Sequence, residues 1–313
     1  MRSIIAGKQA IGFILGLFVV FASCGTTATR ATQTPVQSTP VTLPPAKYAV
    51  QIQQNVAYGP LPAQRADICI PQNTSQTRPA ILLIHGGGWT SGSRRDFGGT
   101  CPFLASQGFV TIEIDYRLAP MHIWPAQLVD VQLAVRTIRA HARDYGIDPQ
   151  RICAYGSSAG GQLAVFLGAL AHNYPDQLAR MFADQSPQVA CVVDEFGPVD
   201  LTASNLSSEQ RNIINTLLTG STTQASVASY HAASPIFAIS AQTAPMFVIH
   251  GKRDTLVPYS QSVELVTALQ RYHVAATLLS YDGGHAYSEI SAAQGQSIKL
   301  QAFAFITSIL GNG

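Results

Sequence analysis

Apolar positions along this chain fall into two alternating kinds of pattern. Residues 50–58 and 66–70 alternate apolar with polar side chains and are joined by Gly59-Pro60-Leu61-Pro62, which predicts a hairpin. Ala80-Ile81-Leu82-Leu83-Ile84 is instead an unbroken apolar run, as expected of a strand buried on both faces. Residues 108–115, 151–155, 189–193, 246–249 and 276–281 read as further strands. Between them lie segments of helical periodicity. One begins near Pro125 and places Leu128, Val131, Val135 and Ile138 on one side, with Gly146 as its expected stop. Others are predicted from Leu163 through Leu167 and over 207–218, 260–272 and 297–310, the last with Ile298, Phe305, Ile306 and Ile309 on one face. Strand and helix in alternation over this length predict an α/β fold with a mostly parallel central sheet and helices on both faces.

The first 46 residues follow neither pattern. Arg2 and Lys8 precede an uncharged, mostly apolar stretch over 10–23, shorter than the roughly 20 apolar residues that span a bilayer as a helix, so residues 1–24 read as an export signal. Residues 25–46 are dominated by Thr, Pro, Ala, Ser and Gln and read as a low-complexity tether, leaving 47–313 as the folded domain. Of the 313 residues 47% are apolar and 12% charged, enough to build a large core, and a net charge of +2 without a basic cluster gives no footing for nucleic acid. Among the five cysteines, Cys153 and Cys191 fall in apolar strand candidates. Four reduced structural cysteines (Cys69, Cys101, Cys153 and Cys191) are the favoured expectation, with one disulfide as the alternative that export would permit. The cysteine spacings offer no zinc site, and no cofactor motif is present.

In parallel sheets chemistry gathers beyond the carboxyl ends of the strands. Four predicted strand ends carry glycine beside a reactive side chain: His85-Gly86-Gly87-Gly88-Trp89, Gly156-Ser157-Ser158-Ala159-Gly160, His250-Gly251-Lys252-Arg253-Asp254 and Asp282-Gly283-Gly284-His285. Ser158 centres a Gly-x-Ser-x-Gly turn, in which the flanking glycines permit a tight strand-to-helix reversal with the hydroxyl exposed. Acyl transfer through a serine needs a base for its proton and an acid to hold that base, and His285 and Asp254 complete the chain order Ser, Asp, His. Asp194, Asp200 and Asp282 are the competing acids. His85 is expected to orient its loop and His250 to be structural, while His122, His141, His172, His231 and His273 lack a glycine context. Trp89 is open between packing residue and pocket wall, and Tyr116 and Arg117 are expected to brace the glycine loop.

With these motifs, and Asp115-Tyr116-Arg117-Leu118-Ala119-Pro120, the chain resembles the αβ-hydrolase superfamily from about Tyr48 onward. Within it the resemblance is to carboxylesterases related to hormone-sensitive lipase and to bacterial feruloyl-esterase-like proteins. It implies an oxyanion hole formed by the amides of Gly87, Gly88 and Ala159, and no metal or cofactor. Two departures are visible: Ser157 stands where the lipase-like relatives carry Asp, and only the tether precedes the first strand where they carry a helical cap. A wall over the site is then expected from residues 198–243. The function implied is a serine carboxylic-ester hydrolase acting on a small or carbohydrate-linked ester. An amidase, formamidase or peptidase on the same triad, and a non-catalytic binding module, are the alternatives. Phe21-Ala22-Ser23-Cys24 resembles a bacterial lipobox, which implies lipidation of Cys24 and an extracytoplasmic, membrane-anchored protein.

Overall fold

A computed structural model describes residues 43–169 and 178–311. The export signal, Cys24, most of the tether and His172 lie outside the described residues. Eight strands form one sheet: β1 (Val50–Ala57), β2 (Arg65–Pro71), β3 (Arg78–Ile84), β4 (Val110–Ile114), β5 (Ile147–Ser157), β6 (Cys191–Glu195), β7 (Met246–Gly251) and β8 (Ala276–Tyr281). Their spatial order is β1-β2-β4-β3-β5-β6-β7-β8. β1 and β2 make the predicted antiparallel hairpin, β2 also runs antiparallel to β4, and every other neighbouring pair is parallel.

The unbroken apolar runs are explained by parity. Leu82, Ile84, Ala154, Val192 and Val248 point into one core, shared with α2 (Ala126–Ala140), α3 (Ala159–Gly168) and α6 (Ser260–Arg271). The intervening Ile81, Leu83, Tyr155, Val193 and Ile249 point into a second core, shared with α1 (Thr100–Ser106) and α7 (Ala292–Leu310). Over these runs β3, β5, β6 and β7 therefore have no solvent face on which to place polar residues. The connection after β3 runs through α1 on one face and that after β4 through α2 on the other. The crevice between β3 and β5 is thus the switch point at which such sheets bind ligands.

Several boundaries differ from expectation, β5 beginning at Ile147 and α3 at Ala159, each four residues early. α2 ends at Ala140 and turns follow, so Gly146, at φ 65°, is the last turn residue before β5 rather than the stop of the helix. α7 begins at Ala292, where Ser291 and Gln294 form a capping box.

The expectation of reduced cysteines is overturned, because Cys69 is bonded to Cys101 and Cys153 to Cys191. Cys153 and Cys191 are directly opposed in the parallel β5–β6 pair with Cα atoms 4.7 Å apart. Cys101 is brought by α1 to β2 with a Cα separation of 6.0 Å. Both separations lie within the bridging range of about 4.4–6.8 Å.

Candidate active site

Ser158 stands between β5 and α3 with φ 54° and ψ −118°, a conformation costly for a residue with a side chain. The surrounding backbone holds it there. A Cβ on Gly160 would lie 2.0 Å from the Ile84 carbonyl oxygen, and one on Gly156 would lie 2.0 Å from the Gly160 oxygen, so α3 seats against β3 only because both positions are bare. The Ser158 amide donates to the Glu195 carbonyl at 2.8 Å, tying the turn to β6.

His285 Nε2 lies 3.0 Å from Ser158 Oγ, and its Nδ1 lies 2.7 Å from Asp254 Oδ2. Asp254 Oδ1 accepts from the amides of Leu256 and Val257, each at 2.8 Å. Burial alone would raise the Asp254 carboxyl. Hydrogen bonds from His250 and His285, together with the Val257 amide, outweigh it and hold the group well below the usual carboxylate range. An ionised carboxylate can only accept, so Nδ1 of His285 carries the ring proton and Nε2 presents a lone pair to the serine hydroxyl.

Among the competing acids, Asp282 is exposed and pairs with Arg253, Asp200 accepts from Thr202, and Asp194 accepts from the Gly197 amide. None of these bonds involves His285.

His250 does more than the sequence suggested. It is fully buried, and its Nε2 lies 2.9 Å from the Val257 carbonyl and 3.2 Å from Asp254 Oδ2, while Nδ1 lies 2.6 Å from Ser262 Oγ. Two acceptors at Nε2 require the proton there, so the Ser262 hydroxyl donates to Nδ1. Asp254 is therefore held between two imidazoles. The only sequence signal for this is the four-residue spacing from His250 to Asp254 around Gly251, a turn short enough to fold the acid back on the strand end.

The glycine loop lies beside the serine. Gly87 has φ 102°, and a Cβ there would meet the Ser91 carbonyl oxygen at 2.2 Å; its own carbonyl accepts from the amides of Thr90 and Ser91. His85 is buried and stacks on Tyr116 with ring centroids 4.2 Å apart, and its Nδ1 lies 2.7 Å from the Gly86 carbonyl. Burial pulls the His85 imidazole below its ordinary value, opposed by that carbonyl. The Tyr116 hydroxyl donates to the His85 carbonyl at 3.0 Å. Arg117 pairs instead with the buried Asp130 at 2.8 Å, so it secures the start of α2 rather than the loop itself. Trp89 is a packing residue with one edge on the site: it is buried, donates from Nε1 to Gln162 at 3.1 Å and still borders the cavity.

That cavity, of about 540 Å³, collects Gly87, Gly88, Ser158, Ala159 and His285 on one side. The expected wall comes from α4 (Ser208–Thr219), which contributes Gln210, Ile213 and Ile214, with Leu206 just before it. The helix comes so near that a Cβ on Gly88 would lie 3.0 Å from Ile213 Cγ2. Leu256, Val257 and Pro258 close the far side. Phe196 packs edge-on against His285 with centroids 4.7 Å apart, a contact with no sequence signal. Among the described residues no group of three or more His, Cys, Asp or Glu is placed to hold a metal ion.

Among relatives, the probable carboxylic ester hydrolase LipM of Mycobacterium tuberculosis is 34% identical over 62% of this chain and 46% of its own length. Esterase LipC of the same organism is 31% identical over 77% of this chain and 61% of its own. The chain thus spans about half to three fifths of these relatives. Among solved structures, a truncated carbohydrate esterase from gut microbiota superposes with a TM-score of 0.69 at 27% identity, covering 85% of this chain and 98% of that one. A thermophilic esterase of Thermogutta terrifontis, 24% identical with a TM-score of 0.68 over 84% of this chain and 92% of its own, shares the fold. The BD-FAE family model matches residues 66–269. With that match on an eight-stranded, mostly parallel sheet, the chain belongs to the BD-FAE family and has the αβ-hydrolase fold.

Proposed function

We propose that the protein is a serine carboxylic-ester hydrolase. The observation that carries this reading is the pair of contacts made by one imidazole, 3.0 Å to Ser158 Oγ and 2.7 Å to Asp254 Oδ2. In the first half-reaction His285 Nε2 takes the hydroxyl proton as Ser158 Oγ adds to the ester carbonyl. The same ring then returns the proton to the departing alkoxide, releasing the alcohol. In the second half a water, deprotonated by His285, adds to the acyl-serine, and the ring returns that proton to Ser158 Oγ as the acyl–oxygen bond breaks and the acid is freed. Asp254 keeps the ring in its base form and stabilises the imidazolium in each half.

Gly87, Gly88 and Ala159 line the cavity together with Ser158, and their amides are assigned to the oxyanion. Each such donor is worth about 3 kcal/mol of transition-state stabilisation. The Ser158 turn helps by placing the first turn of α3 against the developing charge.

The lining suits a small acyl group on a hydroxyl-rich alcohol. Ile213, Leu256 and Val257 supply an apolar side, and Thr90, Ser91 and Asp96 a polar one. The likeness to the gut carbohydrate esterase supports the same substrate class. Export and a lipid anchor at Cys24 complete the reading. The two disulfides, of a kind that persists in oxidising compartments, support export, and the lipobox-like Phe21-Ala22-Ser23-Cys24 supports the anchor.

The test is a rate profile over p-nitrophenyl esters of increasing acyl length, acetylated xylo-oligosaccharides, a methyl hydroxycinnamate and matched anilides. Turnover is expected on esters, best on short acyl groups, and lost in Ser158→Ala. Parental rates in that variant, or faster cleavage of the anilides, would overturn it.

A further inference from the structure

A second cavity lies across the His285 loop from Ser158. It occupies about 520 Å³ between α1 and α7, within the range of roughly 300–1,000 Å³ typical of small-molecule sites. Its walls are Phe97, Phe103, Tyr155, Tyr287, Leu300 and Phe303. Both tyrosine hydroxyls are taken up by the buried Glu195, so ring carbon is what the two residues offer to the cavity. Lys299 is the one charged side chain among the lining residues; it is exposed, and its Nζ lies 5.7 Å from the centroid of the Tyr287 ring. An aromatic floor with a single cation at the mouth matches one class of ligand, an anion with an apolar tail.

The two cavities also share a wall. His285 and Ala286 border the catalytic cavity, and Tyr287 borders the second. Ala286 and Tyr287 have φ of 53° and 63°, a left-handed pair that only its surroundings can hold. Those surroundings are the Tyr281 hydroxyl, which accepts from the Tyr287 amide at 3.1 Å, and Phe196. The Phe196 ring packs against both His285 (centroids 4.7 Å) and Tyr287 (5.5 Å). A ligand pressing on the Tyr287 ring therefore acts on Phe196 and on the short segment that carries the imidazole.

We propose that this cavity binds an amphipathic monocarboxylate and that its occupancy alters turnover through Tyr287 and Phe196. The binding follows from the cavity alone, and the effect on turnover rests on the proposed esterase reading. Coupling of this kind is reciprocal between the two sites.

Calorimetric titration of the full chain with decanoate tests the site without any turnover. Gly295 lies on α7 at the cavity wall, and a Cβ there meets nothing within 4 Å, so the backbone accepts a side chain and Gly295→Trp places an indole in competition with the ligand. Lys299→Glu reverses the charge at the mouth. Decanoate is expected to bind the parent and to lose about tenfold or more in affinity in each variant. Both variants should keep the parental rate on a short ester in the absence of decanoate. In the parent, decanoate should change kcat with little effect on KM, and in the variants it should not. Absence of binding to the parent, as would follow if the chain's leading residues filled the groove, overturns the site. Equal affinity in the parent and Gly295→Trp does the same. Loss in Gly295→Trp alone overturns the carboxylate, and binding with unchanged kcat overturns the coupling. If no ester is hydrolysed, the calorimetry still decides the site.

Discussion

Replacing Asp254 by Asn changes one atom of the carboxyl group and tests how the ring of His285 is held. Oδ1 of the native residue accepts two backbone amides at 2.8 Å, from Leu256 and Val257, so the carbonyl of an Asn must take that position. Its NH₂ group is then left facing His285 Nδ1, where the acceptor stood at 2.7 Å. Two donors cannot share that distance, and the ring adopts the tautomer with the proton on Nε2. That proton points at Ser158 Oγ, 3.0 Å away, so the base becomes a donor, while His250 Nε2 loses its carboxylate acceptor and keeps the Val257 carbonyl. The same change in a Ser-His-Asp protease costs about 10⁴ in kcat, which is roughly 5.5 kcal/mol of barrier. On p-nitrophenyl acetate at neutral pH, Asp254→Asn is expected to lose about 10³–10⁴ in kcat/KM, with a melting temperature close to the parent's. Asp282→Asn is the matched control, because that side chain is 78% exposed and pairs with Arg253, and it should stay within about twofold. Activity within about tenfold of the parent in a folded Asp254→Asn protein would refute the wiring.

Three further outcomes are expected. His250→Phe removes one donor to Asp254 and is expected to lower kcat by about 10- to 100-fold at unchanged KM, the worth of a hydrogen bond to a charged group; His250→Gln should recover part of it, and parental kcat in His250→Phe would refute the role. Asp194 is fully buried, with Oδ2 lacking a hydrogen-bond partner, and burial pushes its carboxyl up to about 7, opposed by the Gly197 amide and assisted by the Glu195 charge. The folded state therefore holds a proton that the unfolded chain releases near pH 4, so this stabilisation is complete below about pH 4 and lost as pH rises to about 7. Urea denaturation across that window should show a shallower decline in Asp194→Asn, and parallel curves would contradict it. The disulfides join residues 32 and 38 positions apart, so loop closure gives each about 3–4 kcal/mol. Reduction should lower the urea midpoint, and alkylation of the unfolded, unreduced protein should find none of Cys69, Cys101, Cys153 and Cys191 free.

The sheet was legible because parallel strands buried on both faces leave unbroken apolar runs, and those in 80–84, 189–193 and 246–249 need no tertiary information to be seen. The reactive strand ends were legible for a related reason, since close backbone approach leaves glycine beside the chemistry at 86–88, 156, 160 and 251. What failed was information carried between strands. Cys153 and Cys191 are separated along the chain by the whole of α3, and only the register of β5 on β6 sets them opposite each other. His250 read as structural because its two acceptors are a carbonyl and a carboxylate delivered by a turn whose closure the sequence does not specify. α1 leaves no signal in the sequence, because Thr100-Cys101-Pro102-Phe103 lacks helical periodicity and a capping side chain. Phe196 reaches His285 from a different segment, with no common spacing to connect them.

The central claim is that Ser158 is the nucleophile, and the most direct measurement is peptide mapping by mass spectrometry after reaction with a fluorophosphonate probe. A single adduct is expected on Ser158, with none on the adjacent Ser157, loss of ester hydrolysis in step with labelling, and no labelling of Ser158→Ala. An adduct on another residue with activity intact, or full labelling of Ser158→Ala, would contradict it.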